Sequence, residues 1–212
     1  NGRSIYENIQ NSIRFLLSGN TGAILVVLYA TLFALPAPFA PVHLLFINLL
    51  TDSLPAIAIG LEPHNKKVMY EKPRDIRKPL LSKEFATKVA LEGVVIAIAT
   101  IIAFEIGRQA DTITASTMAF ATLCLARLFH GFNCRSRKPL YKIGLFSNKE
   151  SWLAFLAGVI LLHIVLLIPV LSGVFEVADL DWLQLFIIYG LAIIPLVVVQ
   201  LWKMVAQKGA VQ

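Results

Sequence analysis

Between Arg14 and Asp52 the chain carries no formally charged residue. A hydrocarbon core of ~30 Å takes about 20 apolar residues per helix, so this uncharged run is long enough for two crossings. Pro36, Pro38 and Pro41 fall where a hairpin between the two has to turn, because proline withholds a backbone donor and blocks helix continuation. Four further apolar stretches follow. The six spans are expected near residues 15–35, 43–61, 86–106, 114–134, 152–172 and 181–203. Composition agrees, with 57% hydrophobic residues, 15% charged and a mean hydropathy of +0.73, whereas soluble domains run ~45–50% apolar. The expected fold is all-α: a polytopic transmembrane bundle of six helices, in contact with membrane lipid, with a cytosolic helical stalk at the N-terminus.

Nineteen Lys+Arg against 13 Asp+Glu leave a formal charge of +6, and the placement of the cations accounts for it. Lys66, Lys67, Lys72, Arg74, Arg77, Lys78 and Lys83 crowd residues 62–85, and Arg135, Arg137, Lys138, Lys142 and Lys149 crowd residues 135–151. The turns at 36–42, 107–113 and 173–180 are poor in cations. The positive-inside rule therefore puts both basic segments and both termini in the cytosol, which requires an even number of spans. The surplus reads as topology and not as a nucleic-acid surface, so no nucleic-acid partner is expected. Ile5, Ile9 and Ile13 recur at helical spacing, so the first span is expected to continue outward as an amphipathic stalk that needs a partner to lie against. The N-terminal Asn1-Gly2-Arg3-Ser4 frames no cleavable signal, and the chain reads as part of a longer polypeptide. It divides into a stalk (1–14), a first transmembrane hairpin (15–61), a cytosolic basic loop (62–85) and a four-helix C-terminal region (86–212). Cys124 and Cys134, ten residues apart in one helical pattern, stand ~15 Å apart along the axis and do not bridge.

Polar groups at bilayer depth are costly and mark candidate sites. In the second span Asn48, Thr51 and Asp52 fall at i, i+3 and i+4, which predicts an amide, a hydroxyl and a carboxylate on one helical face. Pro55 cannot donate to the carbonyl of Thr51, so the helix is expected to open near Asp52 and expose carbonyl oxygens to a cavity. Oxygen ligands including a carboxylate suit a hard cation such as Ca2+, which takes ~6–8 of them. Asn20, beside Ser18 in the first span, is a further donor. The same residues also suit plain interhelical hydrogen bonding. Arg127 in the fourth span either snorkels to the cytosolic interface or turns inward to pair with Asp52 and fill a cation's place. Glu92 reads as structural. The histidines at 43, 64, 130 and 163 stand singly, none at ligand spacing to another.

Gly2-Arg3-Ser4-Ile5-Tyr6-Glu7-Asn8-Ile9, Leu17-Ser18-Gly19-Asn20 and Asn48-Leu49-Leu50-Thr51-Asp52-Ser53-Leu54-Pro55-Ala56 resemble the fifth and sixth membrane helices of calcium-transporting P-type ATPases, bacterial members above all. Lys72-Pro73-Arg74 and Leu128-Phe129-His130-Gly131-Phe132-Asn133-Cys134-Arg135-Ser136 resemble later segments of the same pumps, so the likeness spans essentially the whole chain. The resemblance implies that Asn48 and Asp52 match the ligands of the calcium site kept in one-calcium pumps. It implies that Asn20 and Thr51 match ligands of the second site in two-calcium pumps. There the chain departs from the pattern: Ala23 stands where those pumps carry one glutamate, and Ala126, or its neighbour Arg127, where they carry another. One Ca2+ per cycle is expected, with Arg127 in place of the second ion and proton counter-transport through Asp52. ATP and Mg2+ would act only through cytosolic domains that this sequence lacks, and the partners would be those domains and the preceding membrane helices of the same polypeptide. The expected location is the cell membrane. A Mn2+ pump, an ATP-independent transporter half and a purely structural membrane subunit remain alternatives.

Overall fold

The computed structural model describes residues 2–64, 70 and 79–209 of the chain. Among them the regular structure is helical: α1 (Gly2–Leu32), α2 (Pro41–Phe46), α3 (Ser53–Gly60), α4 (Lys83–Arg108), α5 (Thr112–Asn133), α6 (Leu140–Ile143), α7 (Lys149–Leu167), α8 (Pro169–Val174) and α9 (Trp182–Gly209). A π-helical turn over Ile47–Thr51 joins α2 to α3. Six segments are long and apolar enough to cross a membrane, namely α1, the α2–α3 unit, α4, α5, α7 and α9. Lys72-Pro73-Arg74 and most of the basic loop lie outside the described residues.

Helix α1, at 31 residues, spans roughly 47 Å at ~1.5 Å per residue, well beyond a ~30 Å core. Its extra turns carry Arg3 and Glu7. The buried stripe there is polar: Ser4, Asn8, Asn11 and Arg14 face inward, while Ile5 and Ile9 of the isoleucine stripe are exposed. Asn8 donates to the carbonyls of Gly60 and Glu62, Ser12 to Ala56, and Asn11 to Arg135. Hydrogen bonds to loop and helix-end carbonyls therefore fix this end of α1.

Helix α5 is the centre of the bundle, with Thr117 to Leu128 entirely buried. It packs on α4, α9 and α7, and α1 packs on α4. Small residues let the backbones approach, as expected where lipid competes equally for apolar side chains. Gly22 of α1 and Gly93 of α4 face each other's helices so closely that a β-carbon on Gly22 would overlap Ile96, and one on Gly93 would overlap Thr21.

The starts of α4, α5 and α7 are capped by side-chain oxygens, which satisfy amides with no intrahelical partner. Ser82 accepts from the Phe85 amide, Asp111 from Thr114 and Asn148 from Ser151. The Thr114 amide holds the exposed Asp111 carboxyl below its ordinary range.

The expected spans match in number but not in every boundary. The fifth does not run unbroken from 152 to 172: it stops at Leu167, and α8 restarts at Pro169. Proline disfavours helical backbone in the residue before it, and Ile168 is accordingly extended (φ −86°, ψ 116°). Trp152 and Trp182 lie in the first turns of α7 and α9, and both cysteines are free and buried.

Candidate ion site

The second span is discontinuous at Asp52. The Asp52 amide donates to Ile47, five residues back, at 2.9 Å, closing the π turn, and α3 starts immediately after. Pro55 supplies no amide for the Thr51 carbonyl, so the opening expected from its position is present at residues 47–52. The wider turn changes the angular spacing of the side chains. Thr51 and Asp52 are buried, whereas Asn48 is exposed, so the expected single face of Asn48, Thr51 and Asp52 does not form. The i, i+3, i+4 rule assumes 3.6 residues per turn, and the π turn breaks that assumption.

Across from this break stands Arg127. Its side chain is 1% exposed, and Nη2 lies 2.6 Å from Oδ1 of Asp52. The same Nη2 donates to Oδ1 of Asn20 at 3.1 Å. Arg127 therefore turns inward and joins α1, the α2–α3 break and α5. Gly19 makes room for it, since a β-carbon there would collide with the guanidinium. Ala23 and Ala126, both buried, border this region without contributing a polar atom. The Asp52 contact is close but off the hydrogen-bond direction, and Nε of Arg127 has no hydrogen-bond partner among the described residues. Buried polar atoms are rarely left so.

Residues 36–205 match the family described as cation transporting ATPase, C-terminus. The chain belongs to this family. It is 40% identical over 200 residues to a calcium-transporting ATPase of Bacillus subtilis, covering 92% of this chain and 22% of that protein. It is 39% identical over 213 residues to a calcium-transporting ATPase of Listeria monocytogenes, covering 98% of this chain and 24% of that one. It is 31% identical over 207 residues to the human calcium-transporting ATPase type 2C member 1, covering 96% and 22% respectively. The chain thus spans about a quarter of the length of these relatives.

This cation-ATPase region holds two further polar clusters that sequence reading placed differently. Arg14 and Arg135 count as cytosolic-side cations in a tally of loop charges, yet both are buried. Arg14 lies 2.8 Å from Glu92, whose other oxygen lies 3.2 Å from Nε2 of His130. Nδ2 of Asn133 lies 2.9 Å from Nδ1 of His130 and donates to the Pro195 carbonyl, which ties this set to α9. Arg135 grips Glu62 through two nitrogens at 2.8 and 3.0 Å, and Asn148 donates to the same carboxylate at 2.6 Å. Fork-to-carboxylate pairing of this kind fixes orientation as well as distance.

Glu92, His130 and Cys134 bring a carboxylate oxygen, an imidazole nitrogen and a thiol within 4.8 Å of one another. The Arg14 guanidinium already occupies the carboxylate and repels a further cation. The cluster ties α1, α4 and α5 together. The His130–Cys134 spacing of four residues was the available hint, while the partners Arg14 and Glu92 are 78 residues apart.

Proposed function

We propose that this chain is the C-terminal membrane region of an ATP-driven Ca2+ efflux pump in the cell membrane. In this reading the basic connections and both ends of the chain face the cytosol. Residues 1–14 form the stalk, residues 15–61 the ion-site hairpin, residues 62–85 a coupling loop and residues 86–212 the supporting helices. The observation that carries the reading is the buried Asp52, set in a broken helix with Arg127 against it and hydrogen-bonding capacity left over. The names of the relatives make Ca2+ the cargo to test first.

Asp52 and Asn48, with the carbonyls of the π turn, supply oxygen ligands for one Ca2+, and helices preceding this chain complete the shell. Asn48 is exposed and so open to such a shared shell. Asn20 and Thr51 flank the place of a second ion, but Arg127 already holds Asn20. A guanidinium at ~4 Å costs a divalent ion roughly 4 kcal/mol per unit charge at an effective dielectric near 20. With Ala23 and Ala126 adding no carboxylate, the second ion is excluded and one Ca2+ moves per cycle. When Ca2+ leaves, Asp52 is a buried carboxylate that has lost its divalent partner, and proton uptake compensates, giving counter-transport. ATP and Mg2+ act on domains outside this chain.

Asp52→Asn in the complete polypeptide is expected to abolish Ca2+-dependent phosphorylation from ATP while phosphorylation from inorganic phosphate persists. Unchanged Ca2+ dependence in the variant contradicts the site. Transport supported by Mn2+ but not Ca2+ in the parent moves the cargo to Mn2+.

A further inference from the structure

A cleft of about 210 Å3 opens between α1, α4 and α9. Its wall combines two chemistries. Val199, Trp202 and Ala206 form an apolar stripe along α9, and Arg14, Lys88, Arg137 and Lys203 supply four cations. Among the described residues two carboxylates answer them. Glu92 is taken by Arg14, and Glu84 lies 3.4 Å from Lys88 in an exposed pair of little strength. Among the described residues Arg137 bonds the neutral Gln10 amide oxygen, and Lys203 the carbonyls of Asn133 and Ser136. Among the described residues Arg137 and Lys203 thus have no carboxylate partner.

Gln207 gives a second, independent indication. Its Oε1 lines the same cleft, is buried, and has no hydrogen-bond partner among the described residues. A phosphate satisfies the cations but offers this acceptor nothing, whereas a hydroxyl group satisfies it. Trp202, 47% exposed, and the exposed Leu201 and Val205 carry the apolar wall out of the cleft along α9. An occupant with a phosphate, a hydroxyl and a long apolar tail matches all three features.

We propose that this cleft binds the headgroup of an anionic phospholipid of the phosphatidylglycerol type. The phosphate sits among Lys88, Arg137 and Lys203, a headgroup hydroxyl donates to Gln207, and the acyl chains lie along α9. Basic clefts between membrane helices at the cytosolic face are suited to such headgroups. Only the choice of leaflet rests on the orientation proposed above, because lipid retention is measured independently of ion transport.

The test uses the complete polypeptide in mixed phospholipid nanodiscs, extracted into detergent, with retained lipids counted by native mass spectrometry. The parent is expected to retain phosphatidylglycerol over phosphatidylcholine by about tenfold. The double variant Lys88→Gln, Arg137→Gln is expected to bring that ratio near one. Gln207→Leu, which leaves every cation in place, is expected to keep the preference over phosphatidylcholine and to lose the preference over phosphatidic acid. Inorganic phosphate is expected not to displace the lipid. No preference in the parent, an unchanged ratio in the double variant, unchanged discrimination in Gln207→Leu, or displacement by inorganic phosphate each overturns the proposal.

Discussion

Arg127 concentrates the physical problem of this chain in a single side chain. A guanidinium 1% exposed is tolerable only because Asp52 and Asn20 answer it, since a lone buried charge costs several kcal/mol. Removing one partner therefore does more harm than removing both. Arg127→Met is expected to lower stability by about 3–5 kcal/mol, and the double variant Arg127→Met, Asp52→Leu to recover most of that. Thermal unfolding in detergent measures the cycle, and additive single effects would mean that the pair is not coupled. Gly19→Val is expected to lower the same midpoint by displacing the guanidinium that Gly19 accommodates. Arg14, Glu92 and His130 form a comparable buried set, with His130 one turn beyond Arg127 on α5. That set was invisible in the sequence. Its members lie 78 and 38 or more residues apart and each, taken alone, looks like an ordinary charge near a helix end.

At the scale of elements, apolar length and proline were sufficient to place six crossings, because a span must satisfy every backbone group internally and only long apolar helices do so. Proline also marked the break at Asp52. The π turn was not legible, since nothing in Ile47-Asn48-Leu49-Leu50-Thr51 distinguishes five-residue from four-residue backbone pairing, and Asn48 moved off the predicted face as a result. Pro55→Ala is expected to restore a donor for the Thr51 carbonyl and slow amide exchange over residues 52–56, while weakening Ca2+ binding. Exchange unchanged at those amides would locate the cause of the break elsewhere.

The αα connection between α4 and α5 provides a pH test. The cap on Thr114 depresses the Asp111 pKa below its ordinary 3.8, so its stabilisation is complete above that value and fades as pH falls through the lowered one. Asp111→Ala should unfold at lower temperature than the parent near neutral pH, with the gap narrowing in acid. A gap independent of pH would show that the charge contributes nothing.

Across the whole molecule, burial and polarity are arranged around α5. Its middle carries Arg127 towards the broken span, and its end carries His130, Asn133 and Arg135 into clusters that lock α1, α4, α7 and α9. Helices α7 and α9 contribute few buried residues of their own. Such a body is suited to stay rigid while the broken span α2–α3 responds to its surroundings. Equilibrium Ca2+ binding to the complete polypeptide, counted per phosphorylatable site for the parent and for Arg127→Glu, tests this account most directly. One ion in the parent, rising towards two when the guanidinium becomes a carboxylate, is the predicted result. Two ions in the parent would contradict it, because Arg127 could not then be occupying the second ion's place.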